Sequence, residues 1–168
     1  MAELTNQYIA QKLGNHFGEA IISVSEPYGM LTLVVTPNKA KEMLLWLKND
    51  AEIQAQFLTD LCGAEFPEIT DQQFCVIYHL HSFIHNIRIR VKAFLPASNP
   101  SIASVADIFP AANWQERETY DFYGIQFEGH PNLTRILNAD EMDYFPLRKE
   151  YPLEDGTRTD KEDKYFGR

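Results

Sequence analysis

The chain is poor in cysteine, in positive charge and in long apolar runs, and each shortage removes a class of function. Only Cys62 and Cys75 occur, well separated and outside any C-x-x-C pair. That excludes a disulfide framework and a cysteine-based zinc or iron–sulfur site, and leaves two reduced thiols as the expected state. Lys and Arg number 15 against 24 Asp and Glu, for a formal charge of -9. A sequence-independent nucleic-acid binder draws its affinity from surplus Lys and Arg at phosphates, so nucleic acid is excluded as a partner. Direct anchoring on an anionic bilayer is excluded on the same ground. No run of about 18 consecutive apolar residues occurs, so no membrane-spanning helix is expected. Residues 1–11 show neither the basic start and apolar run of a signal peptide nor the Arg content of a transit peptide, so the chain is expected to stay where it is made. The G-x-S-x-G, Walker, G-x-G-x-x-G and H-E-x-x-H patterns are also missing.

What is present is a chain of 168 residues, 45% apolar and 12% aromatic, enough for one domain with a true core or one domain and an extension. Its charge is uneven. Residues 1–110 hold 7 basic and 11 acidic side chains, whereas the much shorter stretch 111–168 holds 8 and 13. The change follows Pro96, Pro100 and Pro110, which read as a loop between two differently built parts. We therefore divide the chain into a compact α+β domain over 1–110, a launching helix over 111–125 and an extended arm over 126–168, with disorder expected after Asp155.

Within the first part, Thr5 is placed to cap a helix carrying Tyr8, Ile9 and Leu13 on one side, with Gly14 at its end. Two β-branched runs, residues 21–25 and 30–35, flank Pro27 and Gly29 in turn positions. Thr36-Pro37 reads as a cap and first helical residue, and Ala40, Met43, Leu44 and Leu47 follow at helical spacing, as for a helix lying on a sheet. Residues 74–81 alternate, with Phe74, Val76, Tyr78 and Leu80 opposed to Cys75, Ile77, His79 and His81. Residues 87–91 alternate again, with Ile87, Ile89 and Val91 opposed to Arg88 and Arg90, and Lys92 continues the polar side. A hairpin joins them. Locally paired strands with helices give the expected class, α+β: a small antiparallel or mixed sheet packed with helices, followed by a long extended C-terminal arm.

Two candidate chemistries are weighed against simpler accounts. His79, His81 and His85 have a spacing that could hold Zn²⁺ from one strand face and a turn. Any register that keeps the apolar faces together sets His81 across from Arg88 or Arg90, however, and cations beside a site repel a divalent metal. A polar sheet face with a basic strip, open to an acidic partner, is the expectation. Glu116, Arg117, Glu118, Asp121 and His130 invite a hydrolase reading with paired acid and base. Helical ion pairing, with Arg117 against Asp121 at i,i+4 and Glu118 sharing the face of Asp121, accounts for the charges without chemistry. No catalytic, cofactor-binding or metal residue is assigned.

The arm carries Ile125, Phe127, Leu133, Ile136, Leu137, Tyr144, Phe145, Leu147, Tyr151 and Leu153 at neither period, broken by Pro131, Pro146 and Pro152. Burying so few apolar side chains does not offset the backbone entropy of so many residues. An arm laid across a partner protein is the better physical account.

The most specific signal is the run from Glu116 to Pro131, reading ERETYDFYGIQFEGHP, followed by Leu133-Thr134-Arg135-Ile136-Leu137 and by Pro146-Leu147-Arg148-Lys149-Glu150-Tyr151-Pro152-Leu153. Together these resemble the signature of the 30 kDa subunit family of respiratory complex I, the C subunit of NADH:quinone oxidoreductase. The segment 138–145 departs from the family pattern, which often has a Trp and a Gly-His there. The resemblance implies a structural and assembly subunit of the peripheral arm, with no cofactor of its own. The complex it implies uses NADH, FMN, iron–sulfur clusters and quinone, and couples electron transfer to proton translocation. Its expected partners are chiefly the D subunit and also the B and I subunits of that complex. Its expected place is peripheral, on the cytoplasmic side of the bacterial inner membrane, touching the membrane only indirectly. The equivalent subunit of a related membrane-bound hydrogenase or of a ferredoxin- or F420-dependent dehydrogenase is the alternative, and a stand-alone hydrolase or metal-binding protein is the one from another class. Within this reading Gly124 and Gly129 free the backbone where helix turns into arm, while Pro131, Pro146 and Pro152 stiffen the arm. Arg135, Arg148 and Lys149 are expected to make charged contacts to the partner, with Phe127, Leu133, Ile136 and Leu147 as apolar anchors and Glu116, Arg117, Glu118, Asp121, His130 and Pro131 shaping the junction.

Overall fold

The computed structural model describes residues 4–69 and 71–151. Thr5 opens α1 (Asn6–Phe17) as its sequence position implies, its hydroxyl accepting the Tyr8 N–H at 3.2 Å. Gly14 does not end the helix. The last turn is completed by His16 and Phe17, which pack with Trp46, and Gly18 closes it at φ 51° with its N–H on the Gly14 carbonyl. The cost of Gly inside a helix, about 1 kcal/mol, is small beside such packing. Strands β1 (Ile21–Ser25) and β2 (Leu31–Val35) pair antiparallel across the turn at Pro27–Gly29. Helix α2 (Pro37–Asn49) starts at the proline, although the Thr36 side chain makes no capping bond, and its four apolar residues at helical spacing are all buried.

Strand β3 (Phe57–Glu65) is not legible as an alternating run, because a bulge between Leu58 and Asp60 breaks the period. Strands β4 (Phe74–Ser82) and β5 (Ile87–Leu95) form the expected hairpin. The sheet order is β1-β2-β5-β4-β3. Local pairing therefore holds at both ends but not at the centre, where β2 and β5 run parallel and are joined only through α2, β3 and β4. The result is a mixed sheet, as the fold class allowed.

One face of this sheet, carrying Leu33, Val35, Val76, Tyr78, Leu80 and Val91, shares a buried cluster with Ile9 and Leu13 of α1 and with the apolar stripe of α2. The opposite face carries Arg88, Arg90 and Lys92 beside His81, His79 and Ile77. The proline-marked stretch is more than a loop. It contains β6 (Ser101–Ala103), and Ile102, Val105, Ile108 and Phe109 are buried in the same cluster. Helix α3 (Ala112–Tyr123) packs on β3, and β7 (Gln126–Glu128) then pairs parallel with β6. One cluster of buried side chains thus continues from Ile9 to Phe127.

Candidate functional site

The close seating of α3 on β3 depends on Gly63, where a Cβ would stand 2.7 Å from the Tyr123 ring and 2.9 Å from the Thr119 methyl. With α3 this near the sheet, two of its acidic residues are buried, and surface ion pairing along the helix is not what they do. Glu118 alone of the acidic residues stays exposed on the helix.

Glu116 is fully buried. Its carboxylate accepts the Ser104 hydroxyl at 2.6 Å and the Val105 N–H at 2.7 Å, tying α3 to the segment after β6. Burial pushes its pKa above the ordinary value, against the pull of the Ser104 and Val105 hydrogen bonds and of His130. His130 lies 3.9 Å from this carboxylate with its side chain buried. Its Nδ1 accepts the Asn132 N–H at 3.0 Å, so Nε2 carries the proton and donates to the Asn113 carbonyl at 3.0 Å. The acid and the imidazole needed for a hydrolase are adjacent, yet each is occupied in holding chain segments together. The cleft of about 510 Å³ among the described residues is lined by Glu65, Phe74, Arg148 and Glu150, not by this pair.

Asp121 is also fully buried, and its expected partner Arg117 is elsewhere. One carboxylate oxygen accepts the N–H groups of Ile136, Leu137 and Asn138 at 2.8–3.1 Å, and the other accepts Arg135 at 2.8 Å and the Asn138 amide at 3.0 Å. Burial alone would raise this carboxyl; the backbone N–H groups of Leu137 and Asn138, the Asn138 side chain and the Ile136 N–H reverse that and hold it well below the usual carboxylate range. Arg117 instead donates to the carbonyls of Thr134 and Arg135 and to the Thr134 hydroxyl, while its guanidinium lies 4.8 Å from the Trp114 ring.

Two of the three arm residues expected to carry charge to a partner, Arg135 and Arg148, are likewise engaged within the chain, whereas Lys149 is exposed and, among the described residues, bonded only through its backbone N–H. Arg135 reaches the Met142 and Tyr144 carbonyls besides Asp121, with its guanidinium 5.0 Å from the Phe145 ring. Arg148 donates to the Tyr123 carbonyl at 2.8 Å, between the rings of Phe74 and Phe145. Gly124 ends α3 at φ 75°, and a Cβ there would stand 2.5 Å from Phe145 and 2.6 Å from Arg148. Leu147 N–H returns to the Phe122 carbonyl, and Lys149 N–H to Glu65. Residues 126–151 therefore lie over α3 of their own chain, held by three guanidinium groups that satisfy carbonyls no ladder reaches.

Of the anticipated apolar anchors, Phe127 is buried in the core and Leu133 packs against it. Ile136 and Pro146 are half-buried, and Gly129, at φ 81°, and Pro131 are exposed. Leu147 is exposed, and Pro152 and Leu153 fall outside the described residues. Sequence reasoning did not single out Trp114, 63% exposed, or Leu137, 65% exposed, as surface groups. Nor did it find Asn138: a side chain meeting Asp121 from 17 residues away in a non-periodic segment leaves no local signal.

On the sheet, Arg90 donates to Nε2 of His79 at 2.8 Å. Burial and this guanidinium lower the His79 pKa, and Nε2 is occupied, while Nδ1 lies 3.7 Å from Asp60. Cys62 and Cys75 sit on neighbouring strands, with burial pushing the Cys75 thiol up to about 12. Two cysteines fall short of the four that hold an iron–sulfur cluster.

The model of the family described as respiratory-chain NADH dehydrogenase, 30 Kd subunit, matches residues 33–157. The C subunit of the NADH-quinone oxidoreductase of Methylobacterium sp. (strain 4-46) is 42% identical over 88% of this chain, which spans about two thirds (67%) of that relative's length. Its counterpart in Thiobacillus denitrificans is 40% identical, with 89% of this chain and 78% of that one covered. The solved trypsin-resistant fragment of Nqo5 shares the fold at a TM-score of 0.64 and 28% identity, covering 74% of this chain and 98% of the fragment. A chain of an archaeal respiratory complex, the membrane-bound sulfane sulfur reductase, superposes at a TM-score of 0.74 with 22% identity, covering 88% of this chain and 85% of that one, a likeness of fold. With a family match that runs from β2 past the anchored arm, the chain belongs to the 30 Kd subunit family of the respiratory-chain NADH dehydrogenase.

Proposed function

We propose that this chain is a cofactor-free structural and assembly subunit in the peripheral arm of a proton-translocating NADH:quinone oxidoreductase. It supports electron transfer from NADH to quinone without performing a step. The observation that carries the reading is the surface made by α3 and the arm. A segment without regular structure is held in place by buried Asp121 and three arginines, and it leaves Trp114, Leu137, Tyr144, Leu147 and Tyr151 exposed. Fixed apolar side chains at the surface of a chain with net charge -9 mark a place where another protein sits. Preorganising them lowers the ordering cost of association.

The D subunit of the complex is the chief partner in this reading, with the B and I subunits nearby. The NADH, FMN, iron–sulfur clusters and quinone belong to the rest of the complex. The chain then stands on the cytoplasmic side of the bacterial inner membrane and meets the membrane through other subunits. No described helix is long and apolar enough to cross a membrane, which agrees with a peripheral place.

Affinity purification of the full chain from native membranes at moderate salt tests the proposal. A homologue of the D subunit, iron–sulfur subunits and an NADH-oxidising flavoprotein should be recovered together. A hydrogenase or an F420-linked enzyme in place of the flavoprotein would move the chain to a related complex, and a lone monomer would sink the assembly role. Leu137→Asp, at a side chain with no place in the core, should keep the purified chain folded and reduce recovery of the complex.

A further inference from the structure

The sheet face opposite the one buried against α1 and α2 presents, among the described residues, two kinds of group side by side. The first is a cation row. Arg88, Arg90 and Lys92 alternate on β5 and so point the same way, with His81, His79 and Ile77 as their cross-strand partners on β4 and Thr32 and Val34 beside Arg90 and Lys92 on β2. Among the described residues no carboxylate lies within 4 Å of any of the three, in a chain whose acids outnumber its bases 24 to 15. Asp60 is the carboxylate on this face, and it lies 3.7 Å from His79 rather than against the row. The second is an apolar tip. Phe57 is paired with His81 across the sheet, and Phe83 at the hairpin turn packs at a tilt against both rings, with centroids 5.1 Å and 4.8 Å apart. Phe57, Phe83 and Ile84 are 45%, 67% and 65% exposed.

We propose that this face is a second protein-docking surface, separate from the arm, and that its occupant is an acidic segment of a partner protein that carries an apolar side chain at one end. Charge complementarity argues for the occupant. Alternate strand residues stand about 6.7 Å apart, a spacing matched by carboxylates at i,i+2 of an extended segment or by i,i+4 of a helix, about 6 Å. Aromatic and Arg side chains together are the groups in which interface energy concentrates. The row is short, and apolar and neutral residues border it, which suits a protein segment better than a lipid surface or a polyphosphate.

The surface is tested in the intact chain, expressed in its own cells, with the photoreactive residue p-benzoylphenylalanine replacing Phe83 and, separately, Leu147 of the arm. Irradiation should join position 83 to a protein, and the adducted peptide should contain at least two carboxylates near an apolar residue. Reversing the row with R88E, R90E and K92E together should lower that yield by about tenfold or more, as for loss of hot-spot residues, and raised salt should lower it in the wild-type row. The neutral variants R88Q and K92Q, with an unchanged melting temperature of the purified chain, should lower it in the same direction. No adduct at position 83, an adduct to lipid, a peptide without carboxylates, or a yield indifferent to the row would each overturn the proposal. The Leu147 probe reports on the arm alone, so failure of either surface is seen separately.

Discussion

Buried carboxylates on one helix do opposite things to stability as pH changes, because their surroundings differ. Asp121 accepts three backbone N–H groups and a guanidinium, and its carboxyl is held below the usual range. Its contribution is complete above the unfolded value, about 3.9, and is lost as pH falls from there through the folded value. Asp121→Asn is expected to cost about 3–5 kcal/mol at neutral pH, as for a buried pair with one charge removed. Urea unfolding measures it, and the difference from wild type should shrink in acid. Glu116 has its pKa raised by burial, so its contribution is complete below the ordinary Glu value and declines as pH rises through the folded one. Glu116→Gln can still accept from Val105 and meet Ser104, and it should gain on wild type as pH rises above about 4.3. Glu116→Ala strands both donors and should be the more damaging, by about 1–3 kcal/mol for each donor left unpaired.

Elements meet here through close approach and through guanidinium forks. Helix α3 can lie against β3 because position 63 has no Cβ, and Gly63→Ala is expected to lower stability by about 1–3 kcal/mol through overpacking, read from the melting temperature. The end of α3 is closed by Gly124 and by Arg148 on the Tyr123 carbonyl, a cation placed where the helix dipole favours it. Arg148→Ala should cost about 1.5–3 kcal/mol and speed amide exchange at Leu147 while leaving α1 unchanged. Arg148→Lys should not restore it, because an ammonium cannot lie flat between two rings and point one N–H at the carbonyl. Much of this architecture is readable in advance: the Thr5 cap, the Pro37 start, the buried stripe of α2 and the β4–β5 hairpin follow from period and turn residues, while the choice of Arg88 over Arg90 as the partner of His81 is made by the fold. Strand β3 does not, since its bulge breaks the period, and β6 is three residues long among prolines.

At the scale of the whole molecule the arm is part of the folded chain through residue 151. Purified chain at neutral pH should therefore resist trypsin after Arg135, whose guanidinium has four bonds within the chain. Asp121→Asn should raise cleavage there by about a hundredfold or more, since cleavage follows the population of the open form and each 1.4 kcal/mol is tenfold. Equal cleavage in both proteins would mean that the arm is held by something other than Asp121.

By itself the sequence determined the class and most of the elements, because helix and strand periods, caps and turns are local properties of the chain. It also carried the family, in three ordered motifs between Glu116 and Leu153. Only the tertiary structure decided what the charged residues in those motifs do. Arg117 and Asp121 stand at ion-pair spacing on one helix, yet each turns to a segment 14 to 18 residues away, since packing α3 on β3 buries Asp121 and leaves it needing more donors than one arginine supplies. Apolar accounting misses the same point: the arm is ordered by charge-assisted hydrogen bonds to its backbone, and their partners become neighbours only when the fold brings them together.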